Sequence, residues 1–413
     1  MTHASTIPAP TTEEAAAGRR VRPVPRPRRL PTTAATALGL FAAARLTGCL
    51  ALAALARGDG RQPLALLGRS WDSLWYLGIA AHGYGRTLHF RTVVQSDMAF
   101  FPLYPGLVRA VTTAAPLSGG AAGLLVSWTA AALAAYGIYL VGARVRGPAV
   151  ATVLVLLWGL LPHSVVLSMA YTEPVLTALA AWSLHAVLTG RWVWAGTLAA
   201  LAGLSRPNGF AVAAAVMTAA AHELWRGRGQ GQGGPGRERG EERKVTHRLW
   251  TGIALAPLGW AGYVLWVGRR TGDPLGGYFT VQRLWGSRFD LGDGSLGFMR
   301  HLLLRGDRFV FPLTMVIVAA GVLLFALLLA ERVPVPLVVY SGVLLLVVLG
   351  GSGFFASKPR FLLPAFPLLL PLAGALVRTA RARPWHAALV VGALAGLSFA
   401  YGAYLVVFSR TPL

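Results

Sequence analysis

Long apolar runs dominate the chain. The first covers Thr33 to Leu55, and others follow at Gly120 to Leu140, Ala149 to Ser168, Pro174 to Leu188, Trp192 to Leu204, Phe210 to Leu224, Leu249 to Val267, Phe309 to Leu329, Val333 to Leu349, Phe361 to Val377 and Ala387 to Phe408. A helix needs about 20 apolar residues to cross a bilayer, fewer where it is broken or thinly covered, so this pattern predicts about eleven transmembrane helices. Trp192 to Leu204 and Phe210 to Leu224 are the weakest, because Pro207 and Gly209 break the pattern between them.

Composition supports the same class. Of 413 residues, 55% are hydrophobic and 13% charged, and the mean hydropathy is +0.57. A water-soluble core of this size does not hold that much apolar surface, which predicts an all-α protein of the cell membrane. The formal net charge of +23 does not indicate nucleic acid, because the basic residues sit in short blocks between apolar runs and form no continuous stripe. Lysine occurs only at Lys244 and Lys358, a bias of a GC-rich, bacterial type of genome. The single cysteine, Cys49, excludes an intrachain disulfide framework and a multi-cysteine metal site. Leu46 to Cys49 matches a short lipidation signal, but Arg45 interrupts the apolar run and the run continues to Leu55, which favours an uncleaved first helix.

The arginine blocks orient the chain. Residues 1–30 form a Pro- and Arg-rich tail expected to be disordered and cytoplasmic. Counting from there, Arg144 and Arg146, Arg191, the Gly-rich basic loop 225–248, Arg332, and Arg378 to Arg383 all fall on the cytoplasmic side. The remaining chain, 31–413, reads as one polytopic domain. Its outer face carries a first loop at 58–117, a loop at 269–308 long enough for an amphipathic helix lying on the membrane, and the segments Pro162 to Glu173, Ser205 to Gly209 and Gly350 to Arg360. Counted as a full span, Phe100 to Pro116 would export every downstream arginine block, so it is expected to be re-entrant or interfacial.

The outer segments hold an ordered set of motifs. Trp71-Asp72 is followed by Gly83-Tyr84, "AFFPLYP" (99–105), "YTEP" (171–174), "SRPNG" (205–209), "GDPL" (272–275) with Gln282 and Trp285, and "RFLLPAFPL" (360–368). The set resembles the PIG-V-like mannosyltransferases, membrane glycosyltransferases of the GT-C fold class, from Thr33 to Val377. The resemblance implies transfer of a sugar, mannose in most members, from a polyprenyl-phosphate carrier to an acceptor hydroxyl of a glycan or glycolipid at the outer face, with inversion. It also implies that the acidic residue of the first outer loop, here Asp72, is the general base.

The chemistry of the residues fits those roles, and each has a plainer alternative. A carboxylate within reach of the acceptor takes its proton, an effect worth roughly a hundredfold to ten-thousandfold. Asp72 can instead cap a helix inside an interfacial belt of Trp71, Trp75 and Tyr76, which otherwise suit sugar faces. Asp97 is the second catalytic candidate, since two carboxylates in one pocket push their pKa values apart and split the work between base and acceptor orientation, or it caps the segment starting at Ala99. Glu173 beside Pro174 is a site residue or a helix-start acid; His163 is a weaker candidate. The leaving phosphate needs cations, and Arg206, Arg360 and Lys358 lie on the outer side against the usual bias, although each can anchor to headgroups. Asn208 reaches a sugar hydroxyl or supplies a turn, and Tyr104, Gln282 and Trp285 complete the candidate substrate-binding set. Arg45, mid-helix, needs a carboxylate, the donor phosphate or a watery cavity, unless it snorkels. No DxD pair appears and arginines suit a lipid monophosphate, so no metal or cofactor is expected. A transporter or flippase of lipid-linked sugars is the alternative function; such carriers often show two matching halves, and here the motifs lie on one face.

Overall fold

The computed structural model describes residues 30–90, 93–229, 239–294, 296–299 and 310–409. It is all-α apart from one short hairpin and one two-residue pairing of distant segments, as the apolar runs predict. A helix covers every one of the runs: α1 (Leu30–Gly58), α5 (Gly119–Arg146), α6 (Pro148–Gly159), α7 (Glu173–Leu188), α8 (Trp192–Gly203), α9 (Phe210–Gly229), α10 (Arg239–Leu255), α11 (Leu258–Thr271), α13 (Val310–Ala330), α14 (Val335–Gly350), α15 (Lys358–Leu362), α16 (Leu370–Ala382) and α17 (Pro384–Val407), numbered with the loop helices given below. Among the described residues, five spans are long and apolar enough to cross a membrane, and a sixth results if the pair flanking the 76° bend before Phe366 is one broken span. Four further apolar helices, α6, α7, α8 and α14, have 10–17 residues. The run Ala149 to Ser168 is helical only to Gly159, after which Ser164–Ser168 forms a 3-10 turn.

The short helices place the loops deep. Arg144 on the last turn of α5 donates from Nε to the carbonyl of Leu188 at 2.9 Å, so α7 ends level with the C-terminus of α5. At 1.5 Å per residue, the 16 residues of α7 rise about 24 Å against about 42 Å for the 28 of α5. The start of α7 is therefore sunk below the N-terminus of α5. Ser127, about 12 Å down α5, accepts from the Tyr171 amide at 3.2 Å and donates to the Tyr171 carbonyl at 2.9 Å. Close packing follows from small residues: a Cβ on Gly259 of α11 would run into the carbonyl oxygen of Ala200 on α8.

The segment 58–117, expected as the first outer loop, is well structured apart from residues 91 and 92, which lie outside the described residues. It holds α2 (Pro63–Gly68), α3 (Asp72–His82), the antiparallel hairpin β1 (Thr87–His89) and β2 (Val94–Ser96), and α4 (Leu103–Ala114). With 12 residues, α4 extends about 18 Å. In the loop 269–308 the expected amphipathic helix is short: α12 (Gly277–Leu284) buries Tyr278 and Val281 and exposes Phe279 and Leu284. After it, β3 (Arg288–Phe289) pairs with β4 (Gly351–Ser352), tying this loop to the segment before α15. Of the basic loop 225–248, α9 and α10 take up both ends; its middle, like the tail before Leu30 and residues 301–308, lies outside the described residues.

The sidedness is open to a direct test. His89 is exposed at the end of β1. His89→Cys in a Cys49→Ala background is expected to react with an impermeant thiol reagent on intact cells; labelling only after lysis would reverse the orientation.

Candidate active site

Four charged side chains from distant segments form one row. Arg360, on α15, places Nη1 2.7 Å from Oδ2 of Asp72 on α3 and Nε 3.2 Å from Oε1 of Glu173 at the start of α7. The same Oε1 is paired with Nη1 of Arg206, in the bend between α8 and α9. Arg206 also donates to Thr172 Oγ1 at 3.0 Å, and that hydroxyl lies 3.3 Å from the hydroxyl of Tyr76. Two carboxylates and two guanidiniums balance in charge. Glu173 is fully buried and the arginines nearly so, whereas the side chain of Asp72 is 21% exposed. Asp72 is thus the acid of the row that an entering molecule meets.

Both acids also stand at helix starts, Asp72 in the first turn of α3 and Glu173 in that of α7. Trp71 is the cap residue of α3, and no side chain caps that helix. The side chain of Glu173 is aimed at the two arginines instead of at free amides of α7. Trp71 has φ 49°, a conformation that a bulky residue rarely adopts. Phe354, four residues before Lys358, shares it at φ 42°. Such outliers cluster at functional sites, where surrounding structure holds them. Aromatic faces line the row. The Arg360 guanidinium lies 5.2 Å from the rings of both Tyr171 and Phe361, and that of Arg206 5.5 Å from Phe361. Burial pushes the Tyr76 and Tyr171 hydroxyls above the ordinary phenol value, so both stay protonated.

Several expected members take other places. Asp97 has partners of its own: its Oδ2 accepts from the amides of Gly85 and Arg86 at 2.9 and 2.8 Å and its own amide donates to the Arg86 carbonyl, which pins the start of the β1–β2 hairpin. Ser96, not Asp97, caps the turn before Phe100. Oδ1 of Asp97 is buried without a hydrogen-bond partner. The carboxylate that Asp72 does meet across a shared arginine is Glu173. Tyr104 is fully buried, its hydroxyl bonded to the Gly123 carbonyl and to Ser127, both at 2.9 Å, so it fixes α4 to α5.

Lys358 turns its ammonium to the carbonyls of Val348 and Gly351, at 2.5 and 2.8 Å, and so closes the C-terminal end of α14. Gln282 donates to the Ala99 carbonyl at 3.2 Å and Trp285 to that of Ser96 at 2.9 Å, docking α12 onto the loop after the hairpin. Trp75 stacks on Phe100 and meets Trp285 edge-on. This aromatic group joins the charged row through Tyr76, whose ring meets Phe100 at 5.1 Å. Tyr84 also donates to the Phe100 carbonyl, and burial pushes its pKa up to about 12. Asn208 is buried next to Arg206 with Oδ1 unpartnered.

Arg45 finds neither a carboxylate nor the row. It donates to Ser164 Oγ at 2.6 Å, Ser164 bonds Ser398, and a small cavity lined by Arg45, Cys49, Ser168 and Ser398 adjoins it. His163 is buried beside Tyr401, with both nitrogens unpartnered. Thr172, Tyr171 and Phe361 were not singled out by the sequence, yet all three flank charged motif residues. Among the described residues no cluster of three or more His, Cys, Asp or Glu side chains is arranged to hold a metal ion.

No family model matches the sequence, and no curated protein matches it either. Among solved structures, the chain is similar to the Archaeoglobus fulgidus oligosaccharyltransferase in its complex with zinc and sulfate, with a TM-score of 0.47 and 13% identity over 90% of this chain and 54% of that one. A second likeness is to the archaeal oligosaccharyltransferase AglB of the same organism, in complex with an inhibitory peptide and a dolichol-phosphate, with a TM-score of 0.45, 13% identity, and coverage of 90% of this chain and 56% of that one. The chain spans about half the length of these structures.

Proposed function

We propose that the protein is a multi-pass membrane glycosyltransferase that moves a sugar from a polyprenyl-phosphate carrier to an acceptor hydroxyl at the outer face. The observation that carries this reading is the row Asp72–Arg360–Glu173–Arg206: one partly exposed carboxylate beside two buried guanidiniums, set among aromatic rings. A phosphate-linked donor needs a cationic cradle for the oxygen that becomes more anionic as the sugar leaves. The acceptor needs a base within hydrogen-bond reach. Both requirements meet at Arg360.

In this reading Asp72 accepts the acceptor's proton as its oxygen attacks the anomeric carbon from the face opposite the phosphate, which inverts the centre. Arg360 and Arg206 hold the phosphate, Glu173 sets the planes of both guanidiniums, and Trp75, Trp285 and Phe100 offer apolar faces beside the row. The sunken start of α7 lets the lipid-borne phosphate reach the row from the outer leaflet. Mannose as the sugar, and a PIG-V-like ancestry, are supported by the motif order alone. Asp97 is retained as the alternative base, since one buried oxygen remains unpartnered.

The donor assignment predicts a graded response. Arg360→Ala is expected to weaken donor binding more than Arg360→Lys, since both lose the planar fork but only the first loses the charge. Equal donor affinity in wild type and both variants would leave Arg360 as a structural partner of Asp72 and Glu173.

A further inference from the structure

The row is charge-balanced before any donor enters, and this has a chemical consequence. Glu173 is fully buried and held by both arginines, while Asp72 is partly exposed and held by one. An anion entering from the open side therefore meets the Asp72–Arg360 contact first. The ammonium of Lys358 is turned to the carbonyls of Val348 and Gly351. The guanidiniums of Arg206 and Arg360 are thus the cations of the row.

Resting on the donor reading above, we propose that Arg360 is shared between Asp72 and the donor's phosphate, as an exchangeable counterion that passes from the base to the leaving group during transfer. The charge balance of the reaction requires such a movement. At the start Asp72 carries one negative charge and the phosphodiester of the donor carries one. The acceptor oxygen then bonds to the anomeric carbon, the bond from that carbon to the phosphate oxygen breaks with its electron pair on oxygen, and the acceptor's proton goes to Asp72. Asp72 is now neutral and the polyprenyl phosphate is a dianion. The total is unchanged, and one unit of negative charge has moved from the carboxylate to the phosphate.

A guanidinium that touches the carboxylate at 2.7 Å and is anchored from behind by Glu173 can follow that charge by changing the partner of one edge. The rings of Tyr171 and Phe361 against its face keep its plane in place meanwhile. Such an arrangement stabilises the charge where it develops with little reorganisation. It also restrains the base until the donor is present, because Arg360 occupies one oxygen of Asp72 in the empty site.

Competition makes a prediction opposite in sign to ordinary loss of a site residue. Removing the carboxylate should strengthen binding of the anionic lipid. In nanodiscs at fixed ionic strength, Asp72→Asn and Asp72→Ala are both expected to bind polyprenyl phosphate about tenfold or more tightly than wild type. Asp59→Asn, which removes one exposed negative charge at the outer end of α1, should bind as wild type does. Thermal unfolding of each variant checks that it is folded. Binding by wild type with equal or weaker affinity in both Asp72 variants would overturn the exchange while leaving the donor class in place. Equal tightening by Asp59→Asn would assign the effect to net charge and also overturn it. Absence of binding to wild type and variants alike would overturn both the exchange and the donor reading.

Discussion

Asp72→Asn is expected to lose about a hundredfold or more of the sugar-transfer rate while the protein remains folded and inserted. Asparagine nearly matches aspartate in shape, and its amide oxygen can still accept from Arg360. It cannot take up the acceptor's proton. A structural Asp72 would tolerate the change: no side chain caps α3, so no cap is lost. Steady-state transfer measured with purified protein separates the two roles. If Asp72→Asn kept near-normal transfer and Asp97→Asn lost it, the base would be Asp97, and the ion pair at 2.7 Å would be a positioning contact.

Glu173→Ala is expected to cost about 3–5 kcal/mol of stability, because it leaves two buried guanidiniums facing each other without their shared carboxylate. Glu173→Gln should cost less, since a polar oxygen still faces the two guanidiniums. Asp72→Asn should cost least of the three, as Asp72 is partly exposed and keeps an acceptor. Unfolding of the detergent-purified variants, followed by heat or denaturant, gives the order. A Glu173→Ala variant as stable as wild type would mean that the arginines are satisfied without it, and the row would lose its pivot.

The apolar runs made the helices legible, since a lipid-facing helix must satisfy its backbone internally and show an apolar surface throughout. They did not reveal which helices are long. Pro257 and the bends at Gly159, Leu204 and Ser357 shorten elements that look continuous as hydropathy. The site was legible residue by residue: Arg206 and Arg360 stand out as arginines that the topology count sends against the usual positive-inside bias, and Asp72 and Glu173 as acids within the quoted motifs. That they form one row was not, because residues 72, 173, 206 and 360 meet only through packing of remote helices, and no spacing encodes that. Asp97 shows the same limit. Its neighbours in sequence suggest a second pocket acid, and no spacing foretells that one of its carboxylate oxygens accepts from the amides at positions 85 and 86. Nor does the sequence show that Lys358, two residues from Arg360, turns its ammonium to the end of α14.

The most direct test of the central claim is to incubate the purified protein with polyprenyl-phosphate mannose labelled in the sugar, together with a membrane lipid extract as the source of acceptor. The account predicts that the label leaves the carrier and appears, with inverted anomeric configuration, on a new product, and that Asp72→Asn forms none. Label that stays on its carrier, while the intact lipid-linked sugar crosses the bilayer of proteoliposomes holding the protein, would contradict it and identify a carrier of lipid-linked sugars instead.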